Sequence, residues 1–268
     1  MRLAGVHALV TGGGSGIGAA IARALATEGA RLSLVGRRRD RLEAVADGLR
    51  AAGAPAGEPD AGPDAGIACI PADVTDRAAI ETAFAAARAA HGPIAILVNN
   101  AGGVENAPFP RATAESWRAM MAVNLDSLFD CCQAAWADIV AAPAGRIVTI
   151  SSTAGLTGYK YSAAYVAAKH GAVGLMRALA RELADTEATA NAVCPGFTDT
   201  DIIDNAIAAI RAKTGRDAET VRARFTSFNP QGRLVSPREV ASTVAWLCLP
   251  ESRSVTGQAI AVAGGEIM

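Results

Sequence analysis

Short apolar runs alternate along the chain with longer segments in which apolar residues recur every three or four positions. The short runs are nearly continuous in Val, Ile and Leu, which is typical of parallel strands covered on both faces. The longer, Ala-rich segments have the period of helices that bury one face. The pattern predicts strands at 6–10, 31–35, 67–71, 94–98, 146–151, 188–194 and 258–262, and helices at about 17–29, 38–51, 77–91, 115–141, 160–185 and 237–249.

The regular alternation of strand and helix predicts the fold class. It indicates an α/β protein with a Rossmann-like, doubly wound parallel sheet of about seven strands, right-handed crossovers and helices on both faces. A length of 268 residues suits one domain of this kind. Because the sequence shows neither an internal repeat nor a domain boundary, we expect residues 1–268 to form a single domain.

Two stretches interrupt the alternation. Residues 52–66 are rich in Pro and Gly, which predicts a mobile surface loop. Residues 201–233 are polar and irregular, with helical signal at 202–213 and 218–225. An insertion after the carboxyl end of a strand lies over the ligand crevice in this type of fold, so we expect 201–233 to form a lid.

Charge and cysteine usage exclude several function classes. Lys and Arg number 25 against 26 Asp and Glu, and this balance leaves no long-range field for nucleic acid or an anionic membrane. The five cysteines are scattered, and the three histidines lie far apart, so we expect neither a disulfide framework nor a metal site. With no signal peptide or membrane span apparent, we expect a cytoplasmic protein that acts on a small molecule.

A glycine-rich turn follows the first predicted strand and opens the first predicted helix. Glycines let the backbone turn sharply and approach a pyrophosphate, while the helix N-terminus offers free N–H groups to the phosphates. A glycine run alone is also common in plain turns, but its place between strand and helix favours a dinucleotide site. The candidate cofactor-binding residues are Thr11, Gly12, Ser15, Gly16, Ile17 and Gly18.

The spacing Thr-Gly-x-x-x-Gly-x-Gly resembles that of the short-chain dehydrogenase/reductase family, and further motifs of this family follow in order over nearly the whole chain. They are Asp73-Val74, Asn99-Asn100-Ala101-Gly102, Asn124, Ser152, Tyr165 with Lys169, and the loop from Pro195 to Thr200. The resemblance implies a catalytic set of Asn124, Ser152, Tyr165 and Lys169. It also implies cofactor contacts from Asp73, Val74, Asn100, Ala101, Gly102, Tyr165, Lys169, Pro195, Gly196, Thr198 and Thr200.

Tyr165 and Lys169 are four residues apart on one predicted helix, so their side chains share a face. A phenol has a pKa of ~10, and acid–base work at neutral pH favours a value nearer ~7. We expect the Lys169 ammonium to lower the pKa of Tyr165 in a partly dehydrated cleft. Tyr165 then exchanges a proton with the substrate oxygen, to which Ser152 donates a hydrogen bond. Without the other motifs, such a pair is more often a packed ring beside a solvated amine.

Neighbouring residues offer alternatives to this set. Tyr159 and Tyr161 lie nearby, but neither has a lysine four positions later, and only the thirteen-residue spacing to Tyr165 favours Ser152 over Ser151. The family resemblance further implies that Lys169 holds the nicotinamide ribose and that Asn124 positions a water for proton relay.

The end of the second strand bears on the choice of cofactor. An NAD site usually places an acidic residue there for the ribose 2′-hydroxyl, whereas this chain has Gly36 followed by Arg37 and Arg38. Two guanidinium groups suit a 2′-phosphate, which favours NADP(H) and leaves NAD(H) as the alternative. The basic run is otherwise a solvated helix start with Asp40 as its cap.

The predicted lid carries the only signal for the substrate. It combines Phe225 and Phe228 with the cations Arg211, Lys213, Arg216, Arg222, Arg224 and Arg233. This mixture suits a long substrate with an anionic head, such as an acyl-CoA thioester, although the cations equally suit a solvated helical face. Residues 229–233 and the capped helix from Ser236 resemble those of bacterial hydroxyacyl-CoA or ketoacyl reductases of the family.

The sequence therefore predicts an NAD(P)-dependent oxidoreductase that interconverts a secondary alcohol and a ketone by hydride transfer. The alternatives are a dehydrogenase of a sterol, sugar, polyol or cyclic alcohol, or a catalytically silent NAD(P)-binding regulator, which would usually lack part of the catalytic set. The resemblance implies a homotetramer formed through the helices at 115–141 and 160–185 and the C-terminal strand. One departure is Ala263, where the family usually has Asp, and we expect it to affect only a surface or interface detail.

Overall fold

The structure, a computed structural model, describes residues 1–53 and 66–268. Within these residues the strands form one parallel sheet in the order β3-β2-β1-β4-β5-β6-β7. The strands are β1 His7–Thr11, β2 Arg31–Gly36, β3 Ile67–Pro71, β4 Ile96–Asn99, β5 Arg146–Ile150, β6 Thr189–Pro195 and β7 Ala259–Val262. The predicted loop at 52–66 lies, for residues 54–65, outside the described part of the chain.

The helices cover both faces of this sheet. They are α1 Gly16–Thr27, α2 Arg39–Ala51, α3 Arg77–His91, α4 Ala114–Met121, α5 Ser127–Ala141, α6 Ala163–Glu182, α7 Asp201–Thr214, α8 Ala218–Thr226 and α9 Pro237–Cys248. One core cluster joins the sheet to α1, α2 and α9, and a second joins its other face to α3, α5 and α6. The predicted α/β, doubly wound parallel fold is therefore confirmed.

Two of the predicted helix boundaries were wrong. The helix expected over 115–141 is divided by a π-helical turn at Ala122–Asp126 that contains Asn124. The helix expected from residue 160 begins only at Ala163, because Tyr161 has a left-handed backbone with φ of 71°. Both departures lie at predicted site positions, where tertiary contacts override the local helical pattern.

The topology creates a crevice at the carboxyl ends of the central strands. β1 pairs with β2 on one side and with β4 on the other, so the connections leave β1 and β4 in opposite directions. Ligands of open α/β sheets bind at such a switch point. The turn after β1 and the loops after β4, β5 and β6 all begin at this edge.

Several features are reported for the described residues only. None of their helices combines the length and apolar character needed to cross a membrane. Among the same residues, no cluster of three or more His, Cys, Asp or Glu side chains is arranged to hold a metal ion. Four of the cysteines, Cys131, Cys132, Cys194 and Cys248, are buried thiols.

Candidate active site

The glycine-rich turn packs too tightly for side chains. Gly12 and Gly16 have φ of 65° and 51°, in the left-handed region that favours glycine. A Cβ atom on Gly18 would lie 2.2 Å from the Gly12 carbonyl oxygen and 2.5 Å from Asn100 Nδ2. Ser15 is the N-cap residue of α1, yet its side chain makes no capping hydrogen bond, and Ile17 lies in the first turn beside it. The first turn of α1 thus presents main-chain N–H groups without a side-chain cap, as an anion site requires.

Thr11 and Asn100 join β1 to the loop after β4. Thr11 Oγ1 accepts hydrogen bonds from the Asn100 and Ala101 N–H groups at 3.0 and 3.1 Å. Asn100 Nδ2 donates to the carbonyl oxygens of Thr11 and Gly12 at 3.0 and 3.2 Å. These side chains are therefore used to shape the crevice, and they leave the main chain of 100–102 to line it.

Arg37 and Arg38, the two residues directly after β2, have no carboxylate partner among the described residues. Arg37 and Arg38 are exposed, and no hydrogen bond or ion pair of either guanidinium occurs among the described residues. Arg38 occupies the N-cap position of α2, and Asp40 lies inside the first turn, so Asp40 is not the cap. No acidic side chain follows Gly36 directly, and this end of the sheet carries positive charge.

Asp73 and Val74 follow β3 on the same side of the crevice. The Asp73 carboxylate accepts hydrogen bonds from the Thr75 N–H and hydroxyl at 2.9 and 2.8 Å. These bonds, and more weakly the charge of Arg37, lower the pKa of Asp73. Val74 is buried in the core, so its side chain anchors the turn and only its main chain can face a ligand.

Arg41 is a residue that the sequence reasoning missed. A Cβ atom on Gly14 would lie 3.1 Å from Arg41 Cβ, so the first turn of α2 packs directly against the glycine-rich turn. The signal available in the sequence was the basic run itself, which extends from Arg37 to Arg41 with one interruption at Asp40.

Ser152, Tyr165 and Lys169 converge at the carboxyl end of β5. The Tyr165 hydroxyl interacts with Ser152, whose Oγ accepts a hydrogen bond from the Ala154 N–H at 3.1 Å. Lys169 Nζ is buried, donates to the Ile150 carbonyl oxygen at 2.9 Å, and lies 5.7 Å from the centre of the Tyr165 ring. The alternative serine, Ser151, donates instead to the Lys169 carbonyl oxygen at 3.0 Å and is part of the core.

The pKa values of this group differ from the expectation that Lys169 lowers that of Tyr165. Burial raises the pKa of Tyr165, and the hydrogen bond with Ser152 opposes the rise. Burial also lowers the pKa of Lys169 to about 8. The ammonium is directed at a main-chain carbonyl and is itself desolvated, so it does little to stabilise a phenolate. Tyr165 is consequently protonated at neutral pH.

Asn124 holds the loop after β4 in place. Its Nδ2 donates to the Gly103 and Met120 carbonyl oxygens at 2.9 and 3.0 Å, and its Oδ1 accepts from the Gly103 N–H at 3.2 Å. A Cβ atom on Gly102 would lie 2.9 Å from Asn124 Oδ1 and 3.6 Å from Lys169 Nζ. Both N–H groups of the Asn124 side-chain amide therefore donate hydrogen bonds to main-chain atoms of the protein.

The loop from Pro195 to Thr200 closes the crevice on the side of β6. Thr198 is buried, donates from Oγ1 to the Gly196 carbonyl oxygen at 2.9 Å, and forms a bridge with Val235. Thr198 does not cap the next segment, because the N-cap residue of α7 is Thr200, which makes no side-chain capping bond. The Thr200 side chain meets Gly16 of the glycine-rich turn, since a Cβ atom there would lie 3.2 Å from Thr200 Cγ2.

An aromatic cluster and two ion-paired arginines occupy the segment predicted as a lid. Phe197 packs against Phe225 and Phe228 with ring centres 5.2 and 5.0 Å apart, and Tyr159 packs 6.2 Å from Phe197. Arg222 pairs with Asp199 at 2.6 Å, and Arg233 with Glu239 at 2.7 Å. These two cations are thereby neutralised, whereas Arg211, Lys213, Arg216 and Arg224 remain exposed to solvent.

Glu266, near the C-terminus, is a second residue that the sequence reasoning missed. Its Oε1 accepts a hydrogen bond from the Tyr159 hydroxyl, which also lies 2.8 Å from Thr153 Oγ1. A Cβ atom on Gly196 would lie 2.6 Å from Glu266 Oε2. No local motif signals this position, because its partner Tyr159 lies 107 residues earlier.

The turn, loops and catalytic candidates thus lie around one crevice at the carboxyl ends of the strands. At Gly12, Gly18 and Gly102 a Cβ atom would lie too close to neighbouring atoms. Gly12 and Gly16 also have a left-handed backbone, which favours glycine. The N-terminus of α1 and the two free guanidiniums lie on its phosphate side, and Ser152, Tyr165 and Lys169 lie at the other end. The residues present therefore fit a phosphorylated dinucleotide.

Comparison with known proteins gives consistent matches. Residues 6–210 match the family described as short chain dehydrogenase. The granaticin polyketide synthase putative ketoacyl reductase 1 of Streptomyces violaceoruber is 39% identical over 260 residues, which span 96% of this chain and 92% of the relative. The 3-oxoacyl-[acyl-carrier-protein] reductase FabG of Escherichia coli K12 is 35% identical over the full length of both chains.

A solved structure extends the comparison to three dimensions. The crystal structure of an actinorhodin polyketide ketoreductase variant with NADPH is similar to this chain with a TM-score of 0.90 and 35% sequence identity. The match covers 99% of this chain and 98% of the other.

Proposed function

The chain belongs to the short-chain dehydrogenase/reductase family of NAD(P)-dependent oxidoreductases, and on that premise we propose that it reduces the 3-oxo group of an acyl thioester with NADPH. The observation that carries the proposal is the convergence of Ser152, Tyr165 and Lys169 on one point of the crevice. A hydroxyl, a protonated phenol and a buried ammonium meet there, and this is the equipment needed to add a proton to a ketone oxygen.

Different residues of the crevice bind different parts of the cofactor. The main-chain N–H groups of 12–18 bind the pyrophosphate, with Thr11 shaping the turn, and Arg37 and Arg38 bind the 2′-phosphate. Asp73 and Val74 border the adenine. Asn100, Ala101 and Gly102 line the ribose, to which Lys169 donates hydrogen bonds, and Pro195, Gly196, Thr198 and Thr200 hold the nicotinamide. When bound, NADPH supplies the hydride.

The proton comes from this chain's own side chains. Ser152 Oγ donates a hydrogen bond to the ketone oxygen, where negative charge develops. Tyr165 Oη gives that oxygen its proton, and the raised pKa of Tyr165 keeps the phenol protonated and so favours the reductive direction. Lys169 restores the proton of Tyr165 from solvent. Asn124 holds Gly102 and Gly103 against Lys169, and a relay water would therefore bind its main chain or its Oδ1 atom.

The substrate class rests on the relatives and on the lid. The named relatives act as ketoacyl or 3-oxoacyl reductases. The aromatic cluster of Tyr159, Phe197, Phe225 and Phe228 offers an apolar wall for an acyl chain. The exposed cations of α7 and α8 suit the phosphates of a thioester carrier. We take residues 201–233 as the lid that closes over this substrate, within a single cofactor-binding and catalytic domain.

We also propose that the protein is a homotetramer that works in the cytoplasm. Phe129 on α5 and Trp246 on α9 are 46% and 44% exposed, and the edge of β7 is unpaired in the described chain. Two subunit contacts, one through α5 and α6 and one through α9 and β7, would cover these surfaces. The four buried thiols suit a reducing compartment. Light scattering of the purified protein and fractionation of the source cells test the two statements.

The first experiment follows NADPH consumption with acetoacetyl-CoA beside ketones that carry no CoA. We expect turnover with acetoacetyl-CoA, its loss in Tyr165→Phe, and its retention in the neighbouring control Tyr161→Phe. Turnover of free ketones alone would contradict the thioester substrate. Turnover of none of them, or full activity of Tyr165→Phe, would contradict the proposed reduction itself.

The cofactor preference has its own test. Replacing Gly36 by Asp puts a carboxylate where a 2′-phosphate would lie, so kcat/KM should shift from NADPH towards NADH. Asp40→Asn changes the local charge without changing that position and serves as the control. An unaltered preference in Gly36→Asp would contradict the assigned 2′-phosphate site.

A further inference from the structure

The C-terminal segment carries a carboxylate into the substrate side of the site. After β7 the chain turns at Gly264 and Gly265, with φ of 63° and 95°. The turn is packed against the end of the lid, since a Cβ atom on Gly264 would lie 2.0 Å from Asn229 Oδ1. Ala263 is buried against Gly196 rather than placed at a surface or interface, which corrects the expectation from the sequence. The turn thereby returns Glu266 to the crevice.

Glu266 lies between two segments that border the reacting groups. On one side it accepts a hydrogen bond from Tyr159, which contacts Thr153, the residue directly after Ser152. On the other side it meets Gly196 in the loop after β6. The Tyr159 phenol is close enough to Tyr165 for the two to interact electrostatically. Glu266 thus contacts two segments, at Tyr159 and at Gly196, that border the position of a ketone held by Ser152 and Tyr165.

The charge of Glu266 is not balanced by the protein. No Lys, Arg or His side chain forms an ion pair with it within the described ranges, and its Oε2 is buried without a hydrogen-bond partner there. Burial raises the pKa of Glu266, and the hydrogen bond donated by Tyr159 opposes that rise. The carboxylate is ionised wherever the pH lies above this raised value. An unpaired carboxylate in a site of low dielectric constant repels a second negative charge and accepts only hydrogen-bond donors.

We infer that Glu266, held by Tyr159, is a specificity-determining residue that admits neutral 3-oxo compounds and rejects those with a free carboxylate next to the ketone. The inference rests on the proposed function and narrows its substrate class to esters, thioesters and amides of 3-oxo acids. A thioester is neutral at the position where the free acid carries its charge. The carboxylate would thus keep the enzyme from reducing hydrolysed substrate.

The test compares ethyl acetoacetate with acetoacetate, which share the ketone and differ in one charge. We expect the wild-type protein to prefer the ester in kcat/KM, and Glu266→Gln to raise the acetoacetate-to-ester ratio by roughly tenfold through loss of the repulsion. Gln is isosteric and still accepts from Tyr159. Glu219→Gln on the exposed surface of α8 makes the same change in net charge and should leave the ratio unaltered.

If Glu266 had only a structural role, Glu266→Gln would lower kcat/KM for acetoacetate and for its ethyl ester together and leave their ratio unchanged. That result would overturn the inference. Binding of 3-hydroxybutyrate and of its ethyl ester in the presence of NADPH, with which these alcohols cannot react, repeats the comparison by calorimetry without turnover. If no ketone is reduced, the proposed function fails, and the binding ratio in Glu266→Gln still decides the inference: a rise supports it and no change overturns it.

Discussion

The two ends of the sheet both bury polar side chains, but they use them differently. At the amino end, His7 bonds to the Gly92 carbonyl oxygen and to Ser33, and Arg146 bonds to the carbonyl oxygens of Gly145 and Glu187. At the carboxyl end, hydroxyl and carboxyl groups of side chains bond to one another, as in the pairs Tyr159 with Thr153 and Tyr159 with Glu266.

The difference shows what marks a site in this fold. Burial lowers the pKa of His7 to about 4 and that of Lys169 to about 8, so shifts of similar size occur at both ends, including the one with no catalytic candidates. A shifted pKa therefore does not identify function by itself. The bond between His7 and Ser33 is enclosed in the core and serves the fold, whereas a bond between two side chains that border the crevice, such as Tyr159 and Glu266, can be exchanged for one to a ligand.

The largest expected effect is the loss of the proton donor at the carboxyl end. Tyr165→Phe should lower kcat by about a thousandfold, equivalent to ~4 kcal/mol of transition-state stabilisation, because no other acid contacts the ketone oxygen. Thermal unfolding should change little, since the ring is retained. A large loss of stability with substantial residual turnover would break the proposed contrast between the two ends.

Arg146→Ala should give the opposite result. It removes a fully buried side chain and leaves the carbonyl oxygens of Glu187 and Leu249 without this donor. We expect a loss of roughly 3 kcal/mol in the free energy of unfolding, from the cavity and the unpaired carbonyls. Activity per folded molecule at low temperature should be unchanged. An unaltered urea midpoint would mean that the free-energy cost of burying the guanidinium equals the stabilisation from its packing and hydrogen bonds.

His7 makes the amino end sensitive to acid. Its folded pKa of about 4 lies below the unfolded value of 6.5, so the unfolded chain binds more protons between these values. Stability is complete above pH 6.5 and falls with pH, by about 2 kcal/mol at pH 5 and about 3 kcal/mol at pH 4. His91, whose pKa burial also lowers, acts in the same direction. Urea unfolding from pH 7.5 to pH 4.5 measures the effect.

The matched variants for this prediction are His7→Gln and His170→Gln. His170 is exposed, so its replacement should leave the pH dependence as in the wild type. His7→Gln should flatten it, because amides do not titrate in this range. Equal pH profiles for all three proteins would exclude His7 as the source.

The smallest expected effect concerns the lid. Arg222→Ala breaks an exposed ion pair with Asp199, next to the loop that closes the crevice, and exposed pairs stabilise proteins by less than about 1 kcal/mol. We expect KM for the ketone to rise about twofold to threefold with kcat unchanged. Arg224→Ala on the same helix, which has no such partner in the described residues, should leave KM unaltered for ethyl acetoacetate, a ketone that carries no phosphate. A fall in kcat instead would mean that the pair also positions the reacting groups.

Much of the fold could be predicted from local sequence. The strands lie within two residues of their predicted bounds at every terminus, because runs of Val, Ile and Leu buried on both faces have no other stable arrangement. The capping box at Ser236 and Glu239 was visible in the same way, since both partners lie within one helical turn. Helix bounds failed at Asn124 and Tyr161, where contacts with the loop after β4 decide the backbone.

The candidate site was predictable only as far as motifs reach. Spacing alone placed Tyr165 and Lys169 on one face, but it did not show that Lys169 is directed at the Ile150 carbonyl oxygen. It also did not show that Arg222 is paired with Asp199 and Arg233 with Glu239. Each of these interactions depends on side-chain direction within a packed environment, which residue type and spacing do not specify.

The sequence by itself determined the family, the order of the strands and helices, and the candidate residues for the chemistry, because these depend on periodicity and on residue types at short spacings. The tertiary structure decided the protonation of Tyr165, the use of the Asn124 amide on Gly103 and the approach of Glu266 to Tyr159. The physical reason is that burial and long-range contacts set pKa values and hydrogen-bond partners. Glu266 and Tyr159 meet only once the whole sheet has formed.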